Sequence, residues 1–362
     1  MIEKFKKHQD KIIKYLSFLF FFLFILATSY FQILEFKTIK LSYYLYGILI
    51  LLVSIPLHTL LHELGHLIAG LISDYRFIMF RLFKKLWIKT DSGISRRKEY
   101  IPGVLGQALM APPKKENKLA VLFYHLGGIL MNALTIGLFI FLAQSSQDAF
   151  STYFFYFSAG MAFYLLLTNL LPFQGSDGYN LYSFLKDPQS LIETRKILLI
   201  YQKMIQGISF QKIAEKIHLK DYQDFSQPNT ATFYSIQAAS HLEKREFEKA
   251  NALYQKLWSQ RENLFAGHLP RLTMDYYFTL LILDPKNPLI QQIKNSKNYK
   301  IYQNIEEASS FRIFAAEALF LEDKNKKAKK LLEEMKKEIP YSPTVSDEAL
   351  EENLYHYLVD FL

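Results

Sequence analysis

Tyr15 to Leu34 runs for 20 residues without a charge and includes the sequence FLFFFLF. About 20 apolar residues in an α-helix cover the hydrocarbon core of a bilayer, where every backbone polar group must be satisfied within its own segment. Such a run has to be a helix. Three more follow: Leu41 to Leu61, uncharged apart from His58; Leu119 to Ser146, uncharged apart from His125; and Ala149 to Ser176. Beyond about residue 177 the 362-residue chain turns polar and rich in charge. The Lys-rich start resembles a secretory signal, but the first run is long for one and no A-x-A-like site follows, so an uncleaved anchor is predicted.

Four spans return the chain to its starting side, and short loops rich in Lys and Arg stay in the cytoplasm. The N-terminus holds Lys4, Lys6, Lys7, Lys11 and Lys14, and the segment 73–118 carries eleven Lys and Arg, whereas the outer loops offer only Lys37 and Lys40. A multi-pass protein of the cell membrane with both termini cytoplasmic is predicted. The formal charge of +9 (43 Lys+Arg against 34 Asp+Glu) follows largely from this asymmetry. No nucleic-acid-binding motif accompanies it, so none is expected as a partner. The absence of cysteine excludes disulfides, thiolate metal sites and a cysteine nucleophile.

Charged residues stand where the bilayer makes them costly. The second apolar run continues into His62-Glu63-Leu64-Gly65-His66, and an ionisable group at membrane depth costs about 2.5–3.5 kcal/mol on insertion scales. On a helix His62 and His66 share a face one turn apart. Both imidazoles can reach one metal ion while Glu63 reaches a water on it, the H-E-x-x-H arrangement of zinc hydrolases. A plain pair of interface histidines is the bland alternative. A catalytic zinc usually has three protein ligands. The third is sought in Asn169-Leu-Leu-Pro172-Phe-Gln-Gly-Ser-Asp177-Gly178, where Pro172 and Gly175 break the fourth helix so that Asp177 can turn back toward the bundle. The second and fourth spans run in the same direction, so His62, His66 and Asp177 are expected at similar depth. His58, one turn before His62, and His125 are read as polar lining.

With these residues the sequence resembles the site-2 protease family of intramembrane zinc metalloproteases. The resemblance rests on His62-Glu63-Leu64-Gly65-His66, on Asn169-Leu-Leu-Pro172 leading to Asp177-Gly178, and on Gly128-Ile-Leu-Met-Asn132 between them, and covers about residues 41 to 185. It implies Zn2+ on His62, His66 and Asp177, Glu63 as the catalytic base, Asn132 holding the substrate backbone, and a membrane-anchored protein or peptide as substrate. Segment 73–118 is too short for the PDZ domain of many relatives, so a PDZ-lacking branch is implied. Ser176 stands where Leu is common, and Gly127-Gly128 where Gly-Pro is.

Outside this core, Phe77-Ile-Met-Phe and Leu86-Trp87-Ile88, with Asp91-Ser92-Gly93 as a turn, suggest a short amphipathic β-hairpin on the membrane surface. A break is expected around Ser226-Gln-Pro-Asn229. Ala238 and Ala250, and again Ala316 and Ala328, stand twelve apart in similar helical stretches, a pattern similar to tetratricopeptide repeats, with a degenerate hairpin expected around Asp275 to Asn295. The expected fold class is an all-α polytopic membrane protein with four transmembrane helices, that surface hairpin and a cytoplasmic, repeat-like α-helical domain. Its divisions are a basic segment and anchor at 1–40, a metalloprotease core at 41–185 and the helical domain at 186–362. The lipid bilayer and a cytoplasmic protein bound by the tail are the other expected partners. A non-catalytic membrane scaffold is the alternative function.

Overall fold

The computed structural model describes residues 2–114, 118–173, 175–225 and 227–362, with side chains omitted for 2–10 and 228. Lys115, Ser226 and the side chains of Lys4, Lys6 and Lys7 therefore lie outside the described residues. Contacts divide the chain into two compact units, Met1–Phe77 with Pro112–Ile192, and Ile78–Ala111 with Glu193–Leu362.

The first unit is built on α1 (Ile2–Phe36), α2 (Leu41–Ile72), α3 (Lys118–Ser145), α4 (Ala149–Leu170) and the short α5 (Asp177–Lys186). Each of α1 to α4 contains a segment long and apolar enough to cross a membrane. Their outward side chains agree with that solvent: Phe18 is 74% exposed, Leu52 61% and Leu134 69%, an apolar surface far larger than water-soluble proteins tolerate. The helices meet through close approach of small residues and a few polar pairs, the contacts that join helices where lipid would offer no hydrophobic gain. A Cβ on Gly65 would collide with the carbonyl of Gly127, and one on Gly127 with that of Gly65, so α2 and α3 touch backbone to backbone. On α1, Phe24 packs with Leu51 of α2 and Met161 of α4. Ser54 and Ser158 share a hydrogen bond of 3.1 Å between α2 and α4. Pro56 sits inside α2 without ending it.

The second unit begins with β1 (Arg76–Leu82), β2 (Lys85–Thr90), β3 (Gly93–Lys98) and β4 (Gly106–Ala111), paired in the order β3-β2-β1-β4. This corrects the expected hairpin. The predicted Asp91-Ser92-Gly93 turn is present, but it joins β2 to β3, while Phe83 at φ 55° and Lys84 make a second tight turn from β1 to β2. Antiparallel register sets Met79 opposite Ile88 and Arg81 opposite Leu86. Alternation puts Met79, Leu86 and Ile88 on one face, and these residues form one buried cluster with Ile78, Ala111 and Ile205. The apolar face assigned to a membrane surface is thus covered by protein. Strand β3 was invisible as a strand because its cations look solvated in isolation. Arg97 is in fact buried, donating to the Pro340 carbonyl at 2.6 Å and pairing with Glu348, and Lys98 pairs with Glu338 at 2.7 Å.

Helices follow: α6 (Pro188–Ile205), α7 (Phe210–Ala214), α8 (Pro228–Glu243), α9 (Phe247–Ser259), α10 (Leu269–Leu283), α11 (Pro288–Lys294), α12 (Lys297–Tyr302), α13 (Ala308–Phe320), α14 (Asn325–Glu338) and α15 (Val345–Val359). The two alanine pairs fall inside helical hairpins, α8–α9 and α13–α14, and Ala238, Ala250, Ala316 and Ala328 are all fully buried. Small side chains at these crossings let the helices close on each other. Between the hairpins the long α10 faces two short helices, α11 and α12. One buried ion cluster ties three of these helices together. Arg312 of α13 donates to Asp275 of α10 and to Glu351 of α15, both at 2.9 Å, and its guanidinium lies 4.2 Å from the centre of the Phe278 ring.

Candidate metal centre

Three elements converge on one point in the first unit. His62 and His66 stand on one face of α2, both buried, because the i, i+4 spacing returns to the same side after a turn. Asp177 arrives from the end of α4. That helix stops at Leu170, Gly175 takes a φ of 95° open to few residues but glycine, and α5 begins at Asp177 itself. Ser176, where relatives of the resembled family often have Leu, caps α5 by accepting from the Tyr179 N–H at 3.1 Å. A Cβ on Gly178 would run into the Leu170 carbonyl, so the start of α5 is pressed against the end of α4. The pressing is what brings the carboxylate inward.

The Nε2 atoms of His62 and His66 lie 3.2 Å apart, and Asp177 Oδ2 lies 3.0 Å from the first and 3.2 Å from the second. Among the described residues this is the group of His, Asp and Glu side chains that could hold a metal ion. Four donors placed tetrahedrally around zinc at about 2.0–2.1 Å would be about 3.3 Å apart, close to all three observed separations. Chemistry supports the same fit. His66 Nδ1 is 2.8 Å from the Tyr124 carbonyl oxygen, which only accepts, so Nδ1 carries a proton and the lone pair of the neutral ring lies on Nε2. That lone pair faces a carboxylate oxygen and another imidazole nitrogen. Such a convergence suits a shared cation.

Glu63 is buried beside His62 on α2. Asn132 of α3, assigned by resemblance to a substrate strand, is fully buried with its Nδ2 3.1 Å from His62 Nδ1. Gly128, one turn before it, leaves the space the imidazoles occupy: a Cβ there would stand 2.5 Å from the Nε2 atoms of both His62 and His66. The two remaining histidines of the bundle stay outside the ligand set. His58 packs edge-on to Phe139, and His125 packs on Tyr124 and Phe184. Tyr124 is the participant that sequence reasoning missed. Its contribution is a backbone carbonyl, which no side-chain motif announces. Comparisons of the chain with protein-family models, with curated proteins and with solved structures find no match.

Proposed function

We propose that this protein is a membrane-embedded zinc metalloendopeptidase, resembling the site-2 protease family, that hydrolyses peptide bonds in or near membrane-spanning segments of anchored proteins or peptide precursors. The observation that carries the reading is the set of three donor separations, 3.0, 3.2 and 3.2 Å, in a group containing H-E-x-x-H. A zinc ion on His62, His66 and Asp177 supplies Lewis acidity, making water nucleophilic near neutral pH and stabilising negative charge on the carbonyl oxygen under attack.

The chain's own groups handle the protons. The Glu63 carboxylate accepts a proton from the attacking water, and the resulting acid returns it to the amine nitrogen as the C–N bond breaks. Burial of Glu63 and both histidines limits competing water and strengthens each electrostatic contact. A substrate helix has to unwind locally, because its carbonyls are hydrogen-bonded and shielded by side chains. Basic residues in the N-terminus and in 73–118 favour a cell-membrane location with both termini in the cytoplasm. The α8–α9 and α13–α14 hairpins suit a tetratricopeptide-like role in binding a cytoplasmic partner.

Glu63→Gln tests the reading. The amide keeps the shape and loses the base, so the variant is expected to bind zinc like wild type while cleavage falls by about 10²–10⁴-fold. Zinc content by mass spectrometry and cleavage of a panel of tagged membrane-anchored segments are the measurements. Normal cleavage by the variant removes Glu63 as the base, and a cellular phenotype that survives the substitution favours the scaffold function instead.

A further inference from the structure

Asn132 is wholly buried on α3 while Leu134 and Leu138 on the same helix are exposed. An unpaired carboxamide in apolar surroundings is costly, so its partner reveals its use. That partner is Nδ1 of His62, 3.1 Å from Asn132 Nδ2. It is the ring nitrogen remote from the metal group, since Nε2 of the same ring faces Asp177 at 3.0 Å. The other end of the carboxamide, Oδ1, is buried without a hydrogen-bond partner among the described residues. Gly128, four residues earlier on the same face of α3, leaves room for the imidazoles. Together Gly128 and Asn132 form a seat for the His62 ring.

A neutral imidazole carries one proton. With the proton on Nε2, Nδ1 is an acceptor and the Asn132 amide donates to it; Nε2–H then points at the Asp177 carboxylate. For Nε2 to ligate a metal the proton must sit on Nδ1, where it needs an acceptor. Turning the carboxamide over about its last bond brings Oδ1 to that place with no other atom moving, since its oxygen and nitrogen have nearly the same shape. His66 needs no such device, because the Tyr124 carbonyl at 2.8 Å holds its Nδ1 proton permanently. We propose that Asn132 is a positioning residue for His62: its carboxamide accepts from Nδ1–H when a divalent cation binds, freeing Nε2 as a ligand, and takes the opposite orientation when the cation leaves. This rests on the metal-site reading above. It gives Asn132 a task that is complete before any substrate arrives.

Full-length protein in detergent provides the test, with zinc affinity measured by competition against a chromogenic chelator. Asn132→Leu keeps the approximate shape and removes both polar atoms; loss of an outer partner of a ligating histidine typically weakens metal binding 10–100-fold, and a fall of about that size is expected. Asn132→Asp retains an acceptor and is expected to match or exceed wild type. In wild type labelled with ¹⁵N-histidine, zinc should move the His62 proton from Nε2 to Nδ1. Equal zinc affinity in wild type and a folded Asn132→Leu variant, with only KM for a peptide substrate altered, overturns the proposal in favour of substrate holding. If that variant does not fold, the spectrum of wild type decides: a His62 Nδ1 without a proton in the zinc-loaded protein overturns the proposal. Failure of wild type to bind zinc at all overturns the metal site itself.

Discussion

At the scale of single residues, the side chains of the candidate site are few and the backbone does much of the aiming. Asp177 is the candidate ligand farthest in sequence from the other two, and it reaches them through a helix break, a glycine at positive φ and a serine cap. Asp177→Asn keeps that geometry, loses the negative charge and leaves only one amide oxygen to ligate. Zinc affinity should drop by at least about 100-fold, beyond the 10–100-fold range of an outer partner, measurable by the same chelator competition. That His62, His66 and Asp177 belong together was legible in sequence, because a pentapeptide spacing and a helix-breaking run both point to candidate metal ligands, and the structure brings the three together. The Asn132–His62 contact was not. Which face of α3 meets α2 depends on the crossing of the two helices, set by Gly65 and Gly127.

Elements are held by those crossings. Where α2 and α3 touch at Gly65 and Gly127, an added methyl meets backbone rather than a yielding side chain. Gly65→Ala must therefore separate the helices that bear His62 and Asn132. A cost of about 1–3 kcal/mol is expected from such overpacking, read as a lowered unfolding midpoint together with weaker zinc binding. In the second unit the glycine-free turns after α8 and α13 put Arg245 and Asp323 at φ values of 58° and 52°. The hairpins were nonetheless visible in sequence, because alanines twelve apart leave a spacing signal. Strands β3 and β4 were not, since a strand whose arginine is buried by a distant glutamate reads as a basic loop until Glu348 is brought to it.

For the molecule as a whole, the chain enters the second unit twice, through 78–111 and through 193–362. Removing the C-terminal helices strips Ile205 and Val345 from the sheet and exposes Ile78, Met79, Leu86 and Ile88. A protein truncated after residue 192 is accordingly expected to be cut by trypsin within 81–98, at sites that full-length protein protects, as mass spectrometry of the fragments would show. Acidity acts on the same unit. Glu307 accepts a hydrogen bond from the Tyr100 N–H at 2.7 Å. Burial and the neighbouring Glu99 push its carboxyl from 4.5 up to about 7. Burial pushes Glu99 and Glu351 up as well. The folded form holds the Glu307 proton more tightly than the unfolded chain, so the stability it contributes is complete below about 4.5 and is lost as pH rises through about 7. Thermal unfolding midpoints should fall between pH 5 and pH 8, about which the handover is centred, and Glu307→Gln should flatten that slope.

Sequence alone determined the four apolar helices, the site residues on α2 and the helix break ahead of Asp177. These follow from local rules: hydrocarbon admits only self-satisfied helices, residues four apart share a helix face, and proline with glycine ends a helix. Tertiary structure alone decided which atoms face one another. The approach of Asp177 to His62 and His66 at 3.0 and 3.2 Å, the Tyr124 carbonyl behind His66, the carboxamide behind His62 and the burial of a basic strand all join residues from 58 to 251 positions apart. Those pairings depend on helix crossings and strand register, which arise from the sum of many packing contacts and leave no periodic mark in the chain.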